Sequence, residues 1–590
     1  MTWSNEGPRG GAFLLEPVDR RAPFILEDFS PDELRFAEVA ESFVDKEVLP
    51  RLAAIEQQEP GLMPQLLKRA GELGLLMLEV PAEYGGLEAG KAAALLVAAR
   101  GCACGSFSVS WTAHTGIGTL PLVLYGNDEQ RARYLPKLAT GEWIAAYALS
   151  EPGAGSDALG AKTRAVLSHD GRSYRLDGVK QFITNAGFAD LFTVFAKVDG
   201  EKFTAFLIER TFTGVSTGPE EHKMGIKGSS TRQLILEDVD VPVENVLGTV
   251  GSGHKIAFNI LNIGRLKLGG IAAGGARRAL REAMEYATNR KQFQTPIVEF
   301  GAIQRKIADI AALVYAADSV AYRTAGLLDA AMATLDPNAE SYWRDVQAVT
   351  EEYAIEQSIL KVYGSEVLDF CVDEALQMLG GYGFIEEYGL ARHYRDARIN
   401  RIFEGTNEIN RLLIPGTLMK RAMTGALPLL EFVQQVHADL AAAGPPPASD
   451  GPLAAERAAL AGAKRLTAYA AGVLVEREPA DLSRKQQHLE LFSDMICEVY
   501  ALDSAVARTL KLIGQRGAEA TAEEIDLTRL VAAETTERIG TAARRLLSND
   551  AEQAERHLDA LAKLLDYTPV GSLDTKTRVA ERVIAQYRPA

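Results

Sequence analysis

Glu404 lies in the run Arg395 to Arg411, RDARINRIFEGTNEINR, with Gly405, Thr406 and Asn407 directly after it. A carboxylate beside glycine sits where the backbone can turn sharply or come close to a ligand. Thr406 and Asn407 offer short polar groups and a cap for a helix running from Glu408 to Leu413. A loop-borne carboxylate serves as a general base when its surroundings tune it. The same residues also read as a solvated glutamate near a helix start, favoured by the helix dipole. This stretch alone leaves both readings standing, because perturbed carboxylates are a minority of all carboxylates.

Four other clusters precede it: EPGAGSD at Glu151 to Asp157, KQFITNAG at Lys180 to Gly187, RKQF at Arg290 to Phe293 and QMLGGYG at Gln377 to Gly383. Tyr147 to Ser150 reads as a strand end, and Gly153 to Ser156 as a loop whose amides can face a ligand. No GxGxxG joins a strand to a helix, so a separate nicotinamide domain is not expected.

With FEGTNEI, in that order, these motifs resemble the acyl-CoA dehydrogenase flavoprotein family over about residues 30 to 420. The resemblance implies removal of two hydrogens from adjacent carbons of an acyl-CoA. One leaves as a proton, which needs a base; the other leaves as hydride, which needs an organic acceptor, here FAD. The thioester oxygen must be held by donors as the enolate forms. By resemblance Glu404 is the base, and its own backbone N–H shares the thioester oxygen with a flavin ribityl hydroxyl. Some family members carry the base on a bundle helix just before an arginine. Here that place is Gly264 before Arg265, and no acid stands there.

The same resemblance assigns flavin contacts to Tyr147, Leu149, Ser150, Gly155 and Ser156, with Phe182, Ile183 and Thr184 beside the isoalloxazine. Read alone, Phe182 would be a sheet-core aromatic. In this family the FAD site is completed across a dimer. Arg290, Gln292 and Phe293, with Lys291, match the segment that reaches a neighbour's cofactor, and Gln377, Met378, Leu379, Gly380 and Gly381 match a loop of similar duty. Paired glycines there admit close approach. Alone, Arg290 would be a solvated charge at a helix end. Thr406 and Asn407 match the last flavin contacts. Ser156, Asn262, Arg265 and Gly405 match contacts to the acyl-CoA, with a bundle salt bridge as the plainer reading of Arg265. Met224 to Arg232 matches another family signature, to which no chemical role is assigned.

Chain length is addressed by Ser110 to His114. Relatives acting on medium chains place bulky polar groups at the pocket floor; here small Ala113, together with Gly264, favours a deep pocket. Trp111 would oppose this if it pointed inward. The long C-terminal extension resembles the very-long-chain branch, whose members are homodimers. Part of that extension meets a membrane in relatives, but this tail carries no polybasic patch. Filling the surface where a tetramer partner would dock is the role expected of it.

The elements that must position these groups follow from periodicity. Ser30, Pro31 and Glu33 form a capping box, and apolar residues from Leu34 to Val48 keep helical spacing until Pro50. Further helices are expected over Pro64–Leu78, Gly90–Arg100, Ser108–Leu124 and Asp128–Leu138. Near Trp143 the period changes to short β-branched runs: Trp143–Leu149, Thr163–Leu167, Val179–Thr184, Leu191–Ala196 and Phe203–Ile208. Asp170-Gly171, Asp177-Gly178 and Asp199-Gly200 read as tight turns between them. Helices resume over Ile256–Tyr286, Val298–Leu328, Asn338–Leu360, Val367–Leu379 and Glu408–Met423, enough for a bundle. In the tail, Leu489, Phe492, Ile496, Val499, Leu502 and Val506 share one face, and Thr521 with Glu524 reads as another capping box.

The expected class is mainly α with a small central antiparallel β-domain. The expected division is a helical 1–140, whose first 29 residues wrap the surface; a β-domain over 141–248; a bundle over 249–440; a Pro-rich linker over 441–452; and a helical extension over 453–590. The 590 residues are enough for several domains. A net charge of −16 argues against nucleic acid as a partner. The four cysteines have no zinc spacing and read as inert thiols of a reducing cytoplasm. No apolar run reaches a bilayer-spanning length. The N-terminus is neither a signal nor an acid-poor transit peptide.

The reading is therefore FAD-dependent α,β-dehydrogenation of long-chain acyl-CoA to trans-2-enoyl-CoA in fatty-acid β-oxidation, with an electron-transfer flavoprotein as acceptor. An acyl-CoA oxidase that uses oxygen shares these motifs. So does an assembly or scaffold protein with residual flavin binding, though such a protein has no need of an intact Glu404.

Overall fold

The computed structural model describes residues 8–442, 450–477, 482–549 and 551–587. Of the expected Pro-rich linker, residues 443–449 lie outside the described residues.

The N-terminal region is helical: α1 (Pro31–Phe43), α2 (Leu52–Glu56), α3 (Leu62–Glu72), α4 (Lys91–Arg100), α5 (Gly105–Ala113), α6 (Leu120–Tyr125) and α7 (Asp128–Thr140). Ser30 caps α1 as expected: its Oγ accepts from the Glu33 amide at 3.3 Å, and the Glu33 carboxylate accepts from the Ser30 amide at 2.8 Å. Pro50 does not end this run. The chain widens into a π-turn over Val44–Val48, tightens over Leu49–Arg51 and continues into α2. The irregular turns absorb the donor that proline lacks. A second π-turn, His114–Gly118, separates α5 from α6 where one helix was expected. Buried His114 joins neighbours there. Its Nε2 contacts the Leu138 carbonyl and its Nδ1 accepts from the Ala145 amide, both at 3.0 Å. Burial pulls its pKa down to about 4.

The central sheet contains β1 (Ala145–Ala148), β2 (Arg164–Leu167), β3 (Ser173–Thr184), β4 (Leu191–Val198), β5 (Lys202–Glu209), β6 (Val215–Thr217), β7 (Thr231–Pro242) and β8 (Val246–Leu247). Its order is β6-β7-β3-β2-β4-β5-β8, with β1 on β4. It is mixed rather than purely antiparallel, because β1 and β2 both run parallel to β4. The long connection after β1, which carries EPGAGSD, allows this. Asp199-Gly200 turns as expected, with both residues left-handed at φ 54° and 78°. Asp177-Gly178 does not turn. It lies inside β3, where the register against β7 shifts between Leu176 and Gly178. A bulge also favours glycine, here because a Cβ would collide with Thr163. β7 went unread because its charged positions interrupt the apolar run.

The bundle contains α8 (Gly253–Ala287), α9 (Gly301–Met332), α10 (Tyr342–Glu352), α11 (Ala354–Leu379), α12 (Leu390–Ala397) and α13 (Asn407–Met423). The break expected after Leu360 falls instead at Tyr353, so α11 is unbroken through Leu379. This continuity lets α11 pack closely along α8. A Cβ on Gly364 would approach the Gly269 carbonyl to 2.6 Å.

α14 (Leu429–Ala442) follows α13, and the extension adds α15 (Ala454–Arg477), α16 (Gln486–Arg516), α17 (Ala522–Leu547), α18 (Ala554–Leu564) and α19 (Ser572–Tyr587). The apolar face of α16 is buried as its spacing predicted. Thr521 and Glu524 make no capping box: the Thr521 hydroxyl donates to the Gly517 carbonyl, and Glu524 pairs with Arg516. The described part of the N-terminal segment does not simply wrap the surface, as had been expected. Ala12, Phe13 and Leu14 are buried, and Phe13 packs on Tyr500 of α16 at 4.5 Å between ring centroids. Arg508 and Lys511 of α16 pair with Glu27 and Asp28, each at 2.6 Å.

Buried Asp503 of α16 meets Arg323 of α9 at 2.5 Å and also pairs with Lys464 of α15. Removing one partner from such a cluster leaves buried charge uncompensated. Asp503→Ala is expected to destabilise the protein by about 3–5 kcal/mol, read as a lowered thermal midpoint in calorimetry.

Candidate functional site

Glu404 and Gly405 are consecutive left-handed residues, with φ 58° and 77°. That pair of turns aims the glutamate back at α8 rather than along α13. The loop is held from three sides. Arg265 Nε donates to the Glu404 carbonyl at 3.3 Å. Asn410 Nδ2 donates to the carbonyls of Gly405 and Thr406 at 2.9 and 3.0 Å. Thr406 is the cap of α13, its Oγ1 accepting from the Ile409 amide at 3.2 Å. Asn407 is buried, its Oδ1 accepting from Lys361 Nζ at 2.7 Å and its Nδ2 donating to Ser365 and Glu366.

The Glu404 carboxylate occupies space that any side chain at Gly264 would need: a Cβ there would stand 2.5 Å from Oε2. Oε2 is buried and has no hydrogen-bond partner among the described residues. Burial pushes this carboxyl up to about 7, against the opposing pull of Arg265 and Lys361. A base held near neutrality can both take and release a proton at working pH. The solvated-glutamate reading does not survive this geometry.

From Glu404, Phe403 and Thr184 a cleft of about 140 Å³ runs between α5 and α8 to Cys102, Gly275 and Val372. Val109, Ala113 and Gly264 line it. Trp111 does not; it is buried with Nε1 donating to the Leu75 carbonyl at 3.1 Å. Lys267 also lines the wall, with its ammonium tied to Glu79 and to the Thr115 carbonyl.

On the sheet side, Tyr147 is buried and donates to the Ala257 carbonyl at 3.2 Å, so its hydroxyl faces α8. Leu149 is buried, and the Ser150 carbonyl accepts from the Gln181 amide. Gly155 and Ser156 are exposed, and a Cβ on Gly153 or Gly155 would meet nothing within 4 Å. The loop is pinned by Glu151, which accepts from the Lys162 and Thr163 amides and pairs with buried Lys180 at 2.7 Å. Phe182 is not a sheet-core aromatic. It is 64% exposed at φ 59°, while Ile183 turns inward.

Asn262 and Arg265 are buried together, joined at 2.7 Å. Among the described residues Arg265 has no carboxylate partner, so it is not a bundle salt bridge. Arg290, Gln292 and Phe293 stand outside the cleft, on a small exposed hairpin of Lys291–Gln292 and Thr295–Pro296. Phe293 is 90% exposed, and Arg290 lies over Tyr382 at 5.4 Å. Gln377, Gly380 and Gly381 are exposed beside that hairpin, while Met378 and Leu379 are buried. One chain thus brings hairpin and glycine loop together but leaves both apart from Glu404. Lys361, Asn410 and Lys267 were not anticipated. The only signal for them was a polar residue inside an otherwise apolar helix.

Fold and site together place a carboxyl poised near neutrality and a mainly apolar channel on one side and open loop amides on the other. Models of the acyl-CoA dehydrogenase N-terminal, middle and C-terminal domains match residues 30–142, 146–239 and 251–419, and a further acyl-CoA dehydrogenase C-terminal domain matches 462–562. The chain belongs to the acyl-CoA dehydrogenase family and is a flavoprotein oxidoreductase. It is 46% identical to a probable acyl-CoA dehydrogenase of Bacillus subtilis over 97% of both chains. A crystal structure of a Bacillus anthracis acyl-CoA dehydrogenase complexed with FAD superposes with a TM-score of 0.96 at 47% identity, covering 98% of this chain and 100% of that one. The human mitochondrial very long-chain specific acyl-CoA dehydrogenase is 43% identical over 58% of this chain and 51% of its own length.

A carboxyl poised at about 7 accepts a proton only in its ionised form, so if Glu404 is the base its ionisation controls turnover. The acyl-CoA kcat/KM is therefore expected to rise with pH through about 7 and level off above it, in a steady-state pH profile.

Proposed function

We propose that this chain catalyses FAD-dependent α,β-dehydrogenation of long-chain acyl-CoA to trans-2-enoyl-CoA and passes the electrons to an electron-transfer flavoprotein. The observation that carries it is the Glu404 carboxylate oxygen Oε2, buried and without a hydrogen-bond partner among the described residues, at the head of a mainly apolar channel.

The residues present suit FAD. Phe182 offers an exposed ring face, and the Gly153–Ser156 loop leaves its backbone open to close approach. Tyr147 to Ser150, Gly155, Ser156 and Phe182 to Thr184 would hold the ring end, with Thr406 and Asn407 beyond it. Arg290, Gln292, Phe293 and the Gln377–Gly381 loop would serve a second copy's cofactor in a homodimer. When bound, FAD supplies the acceptor for the β-hydrogen as hydride.

Glu404 takes the α-proton from the thioester's neighbouring carbon. Its own amide makes no backbone hydrogen bond among the described residues and is available to the thioester oxygen as charge develops there. Arg265 steadies the loop through the Glu404 carbonyl. The channel walls keep water from the acyl chain. A cytoplasmic location fits this reading, and no described helix is long and apolar enough to cross a membrane.

Channel depth argues for long chains. Lining residues run along α8 from Gly264 to Gly275. At a rise of about 1.5 Å per residue that is roughly 16 Å. An extended chain advances about 1.2 Å per bond, so about 13 bonds fit. Each seated methylene contributes about 0.8 kcal/mol.

Two experiments test this reading. Glu404→Gln should keep yellow flavin and bind acyl-CoA yet lose turnover; retained turnover means that the base is elsewhere. Anaerobic addition of acyl-CoAs of graded length should bleach the wild-type flavin fastest with long chains. Ala113→Glu should move that optimum to shorter ones by putting a charge on the apolar wall.

A further inference from the structure

Lys361 of α11 is fully buried, and its one hydrogen bond among the described residues goes to Asn407 Oδ1 at 2.7 Å. Among the described residues no carboxylate pairs with it directly. A buried ammonium without an ion-pair partner is costly, and an apolar side chain would pack the same space at less expense. Its location suggests what offsets that cost. Asn407 opens α13 three residues after Glu404, and its amide is otherwise committed to Ser365 and Glu366 on α11. The loop that carries the base therefore leaves its turn through a residue clamped to α11.

The charged groups around Lys361 are Glu404 on the loop, Arg265 on α8, Glu408 on the first turn of α13 and Glu366 on α11. Glu366 is already engaged by Arg411 and Asn407, and Glu408 is exposed. Glu404, whose Oε2 is buried, is the anion left to it. Glu404 in turn is faced by Arg265, Lys361 and the Tyr147 phenol on β1. Arg265 spends its guanidinium on Asn262 and on the Glu404 carbonyl.

We propose that Lys361 is a positioning residue for the base: it anchors the exit of the catalytic loop through Asn407 and favours the ionised Glu404 carboxylate from the α11 side. This rests on Glu404 being the base. Burial pushes the Lys361 ammonium down to about 7, against the pull of Glu404. Carboxyl and ammonium therefore titrate as a pair near neutrality. Without the cation, burial holds the proton on Glu404 to higher pH.

The test uses full-length, FAD-loaded protein and hexadecanoyl-CoA. Lys361→Gln keeps a donor for Asn407 and removes the charge; Lys361→Arg keeps the charge. In Lys361→Gln the midpoint of the rise in kcat/KM with pH should move up by about one pH unit at unchanged flavin content. Below the wild-type midpoint that is a loss of about tenfold. Lys361→Arg should restore the wild-type midpoint. A folded, flavin-loaded Lys361→Gln protein with the wild-type midpoint overturns the proposal. Should Lys361→Gln fail to hold flavin, Lys361→Arg decides alone: a wild-type midpoint with lowered kcat supports the role, and a midpoint as high as that expected for the uncharged variant overturns it. Turnover retained in Glu404→Gln would instead remove the base assignment itself.

Discussion

The Glu404 carboxylate fills the volume that a side chain at Gly264 would need, and its Oε2 does so without a hydrogen-bond partner. An ionised carboxylate is stable in water because water solvates it; here burial withdraws that solvent. Arg265 and Lys361 return enough opposing charge to keep deprotonation accessible near neutrality. The site is thus a balance between desolvation and two cations. That balance depends on glycine at one helix position and on two successive left-handed residues in the facing loop.

The rest of the architecture keeps the two sides of that contact in register. α8 carries Gly264 and Arg265, and α11 carries Lys361. The two helices approach closely where Gly364 meets the Gly269 backbone. A larger residue at that crossing would push Lys361 and Asn407 away from Arg265. The extension braces the same bundle from outside through Asp503, Arg323 and Lys464, and Phe13, Glu27 and Asp28 of the N-terminal segment contact α16. The sheet presents the pinned Glu151–Lys180 loop on the opposite side.

Local rules were legible wherever the cause was local. The Ser30 capping box, the left-handed turn at Asp199-Gly200 and the buried stripe of α16 all depend on residues a few positions apart. Misreadings arose where distant neighbours decided. Asp177-Gly178 carries a turn signature, yet pairing with β7 makes it a bulge. Thr521 and Glu524 have capping-box spacing, but Gly517 and Arg516 claim them. Trp111 was ambiguous until Leu75 offered its indole an acceptor.

By itself the sequence determined which residue types were available for chemistry: Glu404 before Gly405, no acid before Arg265, glycine-rich loops and small residues along one helix. Their order along the chain was sufficient for the family. Only tertiary structure decided that Glu404 Oε2 is buried, without a partner among the described residues and set against Gly264, and that Lys361 is on the same side. Ionisation depends on what surrounds a group in three dimensions, and those surroundings come from helices more than a hundred residues away in the case of Arg265.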